Sequence, residues 1–437
     1  MGKKITDFLS INVFKGDVGI WMIYFLLCMV SLVEIYSAGS NLTFKSGNHW
    51  DPLVNQAFFL SVGFLVILLM NNIPCKYFKL IPVLGLPISA GLLVWLLVQQ
   101  NVVNDASRWI DIFGVKFQPS ELAKSMLIIS VAVIMAKVNQ RKLLPDTGAN
   151  HETNRENMRR AFLHAGVRIL IICGLILPEN FSTAAMLFVV MFALMYIANT
   201  PFRYLLKTVL VIMTVGAVAV TIVLSTPEEA LEDNGRVLTW KHRIEKKLHI
   251  HSDENDNTTI SLASAKDANM DENWQENVSH IAIANSHFIG KGVGNSDERD
   301  FLPHAESDFI YSIIVEETGF IGGFIVMMLY VTLLIRAWRI ARKCDKYFPA
   351  FLVVGLCLML VTQALVNMAV AVGLAPVTGQ TLPLISHGGT SILITSFNIG
   401  MILSVSRYAQ KVEARQLQEK AALETADAEF GSSEGMD

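Results

Sequence analysis

The stretch "FIYSIIVEETGFIGGFIVMMLYVTLL" (residues 309–334) decides the fold class of this chain. It is longer than the roughly 18 apolar residues that mark a bilayer-spanning helix, and its only charged residues are Glu316 and Glu317. The whole chain of 437 residues is 52% hydrophobic and 17% charged, whereas about a quarter of a typical soluble chain is charged. Its mean hydropathy is +0.45. The chain is therefore predicted to be a polytopic membrane protein.

Similar apolar runs recur along the sequence and predict an all-α fold with about ten transmembrane helices. The predicted spans are residues 18–38, 53–71, 79–98, 118–137, 167–178, 184–198, 206–225, 309–335, 349–372 and 390–406. The polar break "LPENFST" (177–183) is interpreted as a turn between two helices that meet at the outer surface. One broken helix is the alternative.

The distribution of Lys and Arg predicts the orientation in the membrane. Basic residues are dense in one alternating set of connecting segments, above all from Lys137 to Arg168, and sparse in the opposite set. Both termini are therefore predicted to be cytoplasmic. The predicted parts are an N-terminal segment (1–17), a transmembrane domain (18–407) and a cytoplasmic tail (408–437).

One large loop, about residues 226–307, is predicted to face outward. It begins with a helix-like basic stretch (236–251) and continues with a polar, disorder-prone piece (252–273). At the other end of the chain, the cytoplasmic tail is helix-forming until "FGSSEGMD" (430–437), which is expected to be frayed or disordered.

Carboxylates cluster where the 309–334 run begins. Glu306 and Asp308 precede the run, and a carboxylate at a helix N-terminus is commonly a cap, so Asp308 or its neighbour Ser307 is expected near the N-cap. Glu316 and Glu317 lie about two turns further in, too deep for capping. Ionisable groups inside a span are either paired or functional, and the two interpretations carry equal weight here.

A second polar constellation is "SRWIDIFGVKFQPSELAKSML" (107–127). Glu121 and Lys124 are three residues apart and therefore neighbours on one helical face. A structural ion pair is the favoured interpretation of Glu121. Lys124 could instead offer a cation to an anionic lipid head group, and Arg108, beside a tryptophan, has the same two interpretations.

The third constellation is "APVTGQTLPLISHGGTSIL" (375–393), a stretch between two spans that is rich in proline, glycine and hydroxyl side chains. Irregular backbone at membrane depth is tolerated only where it is buried in protein or lines a cavity. A plain tight connection would not need so long a segment of this kind. A functional role is therefore favoured.

Taken in order, these stretches resemble the SEDS family of bacterial cell-wall polymerases (shape, elongation, division and sporulation). The resemblance rests on "RW…QPSELAK" (108–124), "PENFSTA" (178–184), "SDFIY…EETGFIG" (307–322) and "PVTG…LPLISHGGTS" (376–391). It extends from about Trp21 to Arg407. The stretches "TLPLISHGGTS" and "VNMAVAVGLAP" are more similar to the division members than to the elongation members.

The resemblance implies a peptidoglycan glycosyltransferase that polymerises lipid II at the outer face of the bacterial inner membrane, at the division septum. It implies a class B penicillin-binding protein as transpeptidase partner, contacted through residues 309–372 and the outer loop, together with other divisome membrane proteins. No nucleic-acid partner is expected. The small residues of "GFIGGFIVMMLY" (319–330) could let a partner helix approach closely, or could serve packing within the chain.

The resemblance also places the family's essential aspartate at Asp308, as a general base for the acceptor sugar hydroxyl. Arg108, Lys124 and Lys291 are the predicted cations for the leaving diphosphate. The further predicted substrate contacts are Glu121, Gln275, Ser279, Ser386 and Gly388. No ligand cluster identifies a metal site, although a divalent cation such as Mg²⁺ or Mn²⁺ could share the work on the phosphates.

The chain departs from the family pattern at four places. The loop "IANSHFIGKG" (283–292) replaces a more glycine-rich version. Asn180 stands where an acid is common, and His387 stands where a tyrosine is usual. Residues 252–271 of the outer loop match nothing in the pattern. Contacts with the substrate are expected to differ at these places.

Two other functions are compatible with the same residues. A transporter or lipid flippase would use Glu121, Lys124, Glu316 and Glu317 as a translocation path. A noncatalytic divisome scaffold would need none of them to be reactive. Purified protein supplied with lipid II separates the three possibilities, since only the enzyme makes polymer.

Overall fold

The computed structural model describes residues 14–38, 50–100, 109–112, 115–141, 150–226, 263–302 and 305–433. The helices are α1 (Val18–Ala38), α2 (Asp51–Asn72), α3 (Ile81–Gln100), α4 (Pro119–Arg141), α5 (Asn150–Ile176), α6 (Phe181–Ile197), α7 (Phe202–Ser225), α8 (Ala263–Asn285), α9 (Ile310–Lys343), α10 (Tyr347–Ala371) and α11 (Gly389–Ser433). Two short strands, β1 (Ile110–Ile112) and β2 (Val115–Phe117), form an antiparallel hairpin.

The predicted all-α membrane fold is confirmed. Each predicted span overlaps a helix, and seven helices in the described part of the chain are long and apolar enough to cross a membrane. The interpretation of residues 177–183 as a turn is also correct, because α5 ends at Ile176 and α6 begins at Phe181. The number of crossings and the orientation remain predictions.

The chain divides into two compact units, residues 1–198 with 278–437, and residues 199–277. Within the larger unit, α10 is central, because it packs against α4, α6, α9 and α11. Of the most apolar part of α10, 72% is buried. A polar side chain on this helix must therefore find its partners inside the protein.

The smaller unit contains α7 and the first part of α8. Three threonine hydroxyls of α7 donate hydrogen bonds to the carbonyl four residues earlier, which satisfies these groups within the helix itself. They belong to Thr208, Thr214 and Thr221.

A break in α9 at Gly319 divides the run that is predicted as one span, residues 309–335. Gly319 has φ 76° and ψ −179°, which is not helical. The carbonyls of Glu316 and Glu317 accept hydrogen bonds from the main-chain N–H groups of Lys291 (3.0 Å) and Gly292 (2.9 Å). The segment after α8 therefore takes up hydrogen bonds that the helix itself does not use at the break.

Helix content at two places exceeds the prediction. Helix α8 begins at Ala263, inside the stretch predicted to be disorder-prone (252–273), and α11 continues to Ser433, beyond the predicted helical limit. The α8 stretch, ASAKDANMDEN (263–273), contains three alanines and the helix formers Lys266, Met270 and Glu272, whose propensity outweighs their polarity. The extension of α11 is only FGSS (430–433), and its composition does not explain it. The predicted helix-like stretch 236–251 lies outside the described residues.

The hairpin of β1 and β2 was not predicted. Its register places Ile110 opposite Phe117 and Asp111 opposite Lys116. The hydroxyl of Thr390 donates a hydrogen bond of 2.9 Å to the carbonyl of Lys116. The hairpin is thereby tied to the start of α11, directly before the polar first turn of α4.

The break at Gly319 yields a prediction about stability. A Cβ added there would lie 2.3 Å from the carbonyl oxygen of Phe288, and the positive φ disfavours any L side chain. Gly319→Ala should therefore lower the free energy of unfolding by at least roughly 1–3 kcal/mol, measured as thermal melting in detergent.

Gly91→Ala is the matched control. Gly91 lies within α3, and a Cβ there meets no atom of the described residues within 4 Å, so alanine should be neutral or stabilising. Equal melting temperatures for Gly319→Ala and the unmodified chain would contradict the assigned constraint.

Candidate active site

The connection between α10 and α11, residues 372–388, is irregular, and its part from Thr378 to Gly388 is largely buried; we call residues 372–388 the connecting segment. Gly379 (φ 62°) and Leu384 (φ 68°) both have left-handed backbone conformations within it. Regular secondary structure does not satisfy the carbonyls of such a segment, so they need other donors.

Two side-chain amides of α10 and one at the start of α6 provide these donors. Each amide nitrogen donates to a main-chain carbonyl of the connecting segment. The bonds run from Asn180 Nδ2 to Thr378 (3.0 Å), from Asn367 Nδ2 to Gln380 (2.7 Å) and from Gln363 Nε2 to Thr381 (3.1 Å).

The same segment lies against the main chain around Asp308. Three donors hold the carbonyls of residues 306–308. They are His387 N to the Glu306 carbonyl (2.8 Å), Ser386 Oγ to the Ser307 carbonyl (2.6 Å) and Asn367 Nδ2 to the Asp308 carbonyl (2.7 Å). Asp308 is half-buried, and its main chain is held on the side that faces the connecting segment.

The expectation that Ser307 and Asp308 lie near the N-cap of the following helix is confirmed. Helix α9 begins at Ile310 and its N-cap is Phe309, whose own side chain makes no capping hydrogen bond. The hydrogen bonds to residues 306–308 extend the irregular backbone past the expected helix start. The carboxylate at position 308 therefore lies one residue before the N-cap.

Glu121 and Lys124 form the ion pair that the sequence favours. Lys124 Nζ lies 2.7 Å from Glu121 Oε1 and 2.9 Å from Gln363 Oε1. Lys124 is only 2% exposed and Glu121 is 8% exposed. Because Gln363 also binds the Thr381 carbonyl, the ion pair is linked to the connecting segment. Direct contact of either residue with substrate remains a prediction.

Lys291 is a second cation bound by carboxylates. Its Nζ lies 2.6 Å from Glu316 Oε1 and 2.9 Å from Asp297 Oδ2, and these two bonds raise the pKa of Lys291. Ser296 donates to the other oxygen of Glu316 at 2.5 Å. The buried Glu316 therefore has structural partners, as one of its two interpretations required. Lys291 keeps 24% of its side chain exposed and can still face an anion.

The remaining predicted contacts are placed as follows. Ser279 is buried and its hydroxyl bonds with Ser312 (2.6 Å) and the Ala371 carbonyl (2.9 Å). Gly388 lies at the end of the connecting segment, where a Cβ would meet only Ser391 at 3.5 Å. Gln275 is half-buried on α8, in the smaller unit, and Arg108 lies outside the described residues.

Asn180 performs two tasks that an aspartate could not perform together. Its Oδ1 accepts a hydrogen bond from the Thr183 N–H (3.1 Å) and caps α6, while its Nδ2 donates to the Thr378 carbonyl. A carboxylate could cap the helix equally well but has no hydrogen to donate when ionised. Asparagine at this position therefore adds a hydrogen bond to the connecting segment that an ionised aspartate could not form.

His387 stands beside Glu306 at the end of the connecting segment. Burial lowers the pKa of His387, and the neighbouring Glu306 carboxylate opposes this shift. At neutral pH the imidazole is therefore uncharged in the folded protein.

Sequence reasoning missed the amides of α10. Gln363 and Asn367 are buried and one helical turn apart. Their hydrogen bonds connect the three polar stretches that the sequence singles out, namely those that contain Lys124, Asp308 and the connecting segment. The available signal was the pair of amides in an otherwise apolar run, "VTQALVN" (361–367). Among the described residues, no group of three or more His, Cys, Asp or Glu side chains could hold a metal.

Comparison with known proteins supports one family. A family model described as "Cell cycle protein" and named for FtsW, RodA and SpoVE matches residues 18–411. The probable peptidoglycan glycosyltransferase FtsW of Trichlorobacter lovleyi is 30% identical over 397 residues, covering 89% of this chain and 93% of the relative. The protein of the same name from Enterococcus hirae is 30% identical over 417 residues, covering 91% and 94%.

Solved structures show the same fold. A chain of a peptidoglycan synthase complex that coordinates polymerization and crosslinking matches with a TM-score of 0.65 and 23% identity, covering 90% of this chain and 98% of that one. The rod shape determining protein RodA of Thermus thermophilus matches with a TM-score of 0.58 and 21% identity, covering 90% and 97%.

The buried ion pair yields a prediction. Removing either partner leaves an uncompensated buried charge, which costs roughly 3–5 kcal/mol. Glu121→Gln and Lys124→Met should each lower the melting temperature, and the double variant should recover much of the loss.

The Glu156–Arg160 pair is the matched control, because its side chains are 61% and 68% exposed and its removal should cost less than about 1 kcal/mol. If Lys124→Met kept its melting temperature but lost polymerisation, the lysine would belong to the substrate site instead.

His387 yields a prediction about pH. Because its pKa is lowered in the folded protein, the unfolded chain takes up a proton first as the pH falls through the ordinary value of 6.5. Stability should therefore decline on acidification below that value, until the folded-state pKa is reached. Melting curves of His387→Gln should show a shallower decline over the same range. An unchanged pH dependence in this variant would refute the assignment.

Proposed function

The chain belongs to the cell cycle protein family named for FtsW, RodA and SpoVE, and from this premise we propose that it polymerises lipid II with Asp308 as general base. It is a peptidoglycan glycosyltransferase of the division type, the name carried by the FtsW relatives that cover 89% and 91% of the chain. That likeness over almost the whole chain is the observation that carries the proposal.

The geometry around Asp308 supports its assignment as the base. The carbonyls of residues 306–308 accept two hydrogen bonds from the connecting segment and one from Asn367 of α10, and the connecting segment is in turn joined to α6 and α10. A carboxylate carried on backbone that is held in this way keeps a fixed position relative to bound substrate. A general base needs this property, because it must lie within hydrogen-bond reach of the proton it removes.

The proposed reaction is a displacement at a sugar. The acceptor 4-hydroxyl transfers its proton to the Asp308 carboxylate while its oxygen attacks the anomeric carbon of the donor glycan. A carbon–oxygen bond forms there, and the bond to the polyprenyl diphosphate breaks on the opposite face. The α-linked donor thereby becomes a β-linked unit of the polymer.

Charge that develops on the departing diphosphate requires cations. Among the described cations, Lys291 suits this role best, because its side chain is partly exposed while Glu316 and Asp297 orient it. Arg108 is assigned the same role from its sequence position. Lys124 is better suited to an indirect role, since two side-chain oxygens already bind its buried ammonium group.

A class B penicillin-binding protein is the proposed partner, at the division septum of the inner membrane. The likeness to a chain of a peptidoglycan synthase complex supports a partner of this kind. The small residues of α9 stay a predicted docking face. A Cβ at Gly323 would meet Val315 and Tyr311, and one at Gly322 would meet Thr318, and these three neighbours all belong to α9 itself.

Asp308→Asn separates catalysis from structure. Asparagine keeps the shape of the side chain but removes the oxygen that accepts the proton, and a lost general base lowers the rate by about 10²–10⁴. The variant should be produced normally, bind its transpeptidase and melt at the temperature of the unmodified chain, yet form almost no polymer. Polymer length is measured on a gel, from purified lipid II with the partner present.

Asp308→Glu should also be poorly active, because a shift of roughly 1 Å in the carboxylate spoils the geometry of proton transfer. Near-normal polymerisation by Asp308→Asn would refute the catalytic assignment. Movement of lipid II across the bilayer without polymer would favour a flippase, and neither activity would favour a scaffold.

A further inference from the structure

Two amides on α10 occupy positions that an apolar helix would normally fill with leucine or valine. Gln363 is 3% exposed and Asn367 is 1% exposed, and their spacing of four residues places them on one face of the helix. Burying an amide is costly unless it is hydrogen-bonded, and both of these amides donate hydrogen bonds. Their presence in the core therefore depends on what they bind.

Each amide connects two elements that are distant in sequence. Gln363 accepts from Lys124 Nζ at 2.9 Å and donates to the Thr381 carbonyl at 3.1 Å. Asn367 donates to the carbonyls of Asp308 and Gln380, each at 2.7 Å. The two amides thus bind consecutive carbonyls of the connecting segment, and Asn367 alone also binds the main chain of the catalytic residue.

The chemistry at position 367 is specific to a primary amide. The Nδ2 group has two hydrogens, and Asn367 uses both of them on carbonyl oxygens. A leucine of similar volume has neither, and an aspartate has at most one. Among the described residues no donor bonds to the buried Oδ1 of Asn367, so the side chain is retained at a cost that its two donor bonds must offset.

We infer that Asn367 is a positioning residue for the polymerisation reaction, which sets the main-chain position of Asp308 relative to the connecting segment. The inference rests on the proposed function of Asp308 as general base. Because the Asp308 carbonyl is the last of three held carbonyls before α9 begins, its bond to Asn367 is the one nearest the catalytic side chain. A shift of about 1 Å in a reacting group can cost on the order of 10² in rate, so loss of this bond should appear in kcat.

The molecule offers a close control for Asn367. Asn139, on α4, is also buried (2% exposed) and also donates to two main-chain carbonyls, those of Met135 (3.0 Å) and Ala198 (2.9 Å). It contacts neither Asp308 nor the connecting segment through these bonds. Asn139→Leu therefore measures what loss of a doubly donating buried amide does to the fold alone.

The experiment compares Asn367→Leu with Asn139→Leu in the full chain, with the transpeptidase partner and lipid II, at equal amounts of folded protein. Asn367→Leu should lower kcat by about 10- to 100-fold while KM for lipid II stays within about twofold. Asn139→Leu should lower the melting temperature by a similar amount and leave kcat within about threefold. Should Asn367→Leu fail to fold, Asn367→Asp has the same shape and also cannot hold both carbonyls, so it should show the same loss of kcat.

Asp308→Asn in the same assay keeps the two proposals distinguishable. An inactive Asp308→Asn beside a fully active Asn367 variant would overturn the positioning role alone. Equal losses of kcat for Asn367→Leu and Asn139→Leu would also overturn it, since a general loss of packing would then account for both. A fully active Asp308→Asn would overturn the general base and, with it, the present inference.

Discussion

The buried backbone of the connecting segment constrains the rest of this structure. A chain surrounded by helices has no bulk water to satisfy its peptide groups, and each unsatisfied group would cost several kcal/mol in an apolar environment. The carbonyls of Thr378, Gln380 and Thr381 are satisfied by side-chain amides instead. Three polar residues in the apolar interior are therefore a consequence of one irregular segment.

The carboxylates near the start of α9 differ in role because their surroundings differ. Glu316 is paired with Lys291 and bonded by Ser296, and the Ser37 hydroxyl donates to Glu317. Asp308 instead lies on half-buried, irregular backbone before the helix begins. Ionisable groups deep in a span need partners, whereas the general base proposed at Asp308 must keep a face toward substrate. The two requirements fall at different depths of the same segment.

The sequence predicts much of the fold, because a long apolar run indicates a membrane-spanning helix. It also predicts the Glu121–Lys124 pair, since that contact depends only on spacing along one helix. It predicts neither the break at Gly319 nor the hydrogen bonds of Asn367. Both depend on segments distant in sequence, the break on residues 287–292 and the amide on residues 308 and 380. A residue pattern reports burial but not which distant carbonyl a buried amide will meet.

The chain's departures from the family pattern show how the site tolerates change. Asn180 replaces an acid and keeps the cap on α6 through its oxygen, while its nitrogen adds a bond to the Thr378 carbonyl. At position 387 it is the main-chain N–H that binds the Glu306 carbonyl, so this contact does not depend on the side chain being histidine. The α6 cap at position 180 and the main-chain bond at position 387 can therefore form with either residue. Asn367 is different, because its two bonds to the main chain both come from the side chain, and no other residue of its shape can form both. Variation at this site should therefore be confined to positions where the main chain, or one end of an amide, makes the positioning contact.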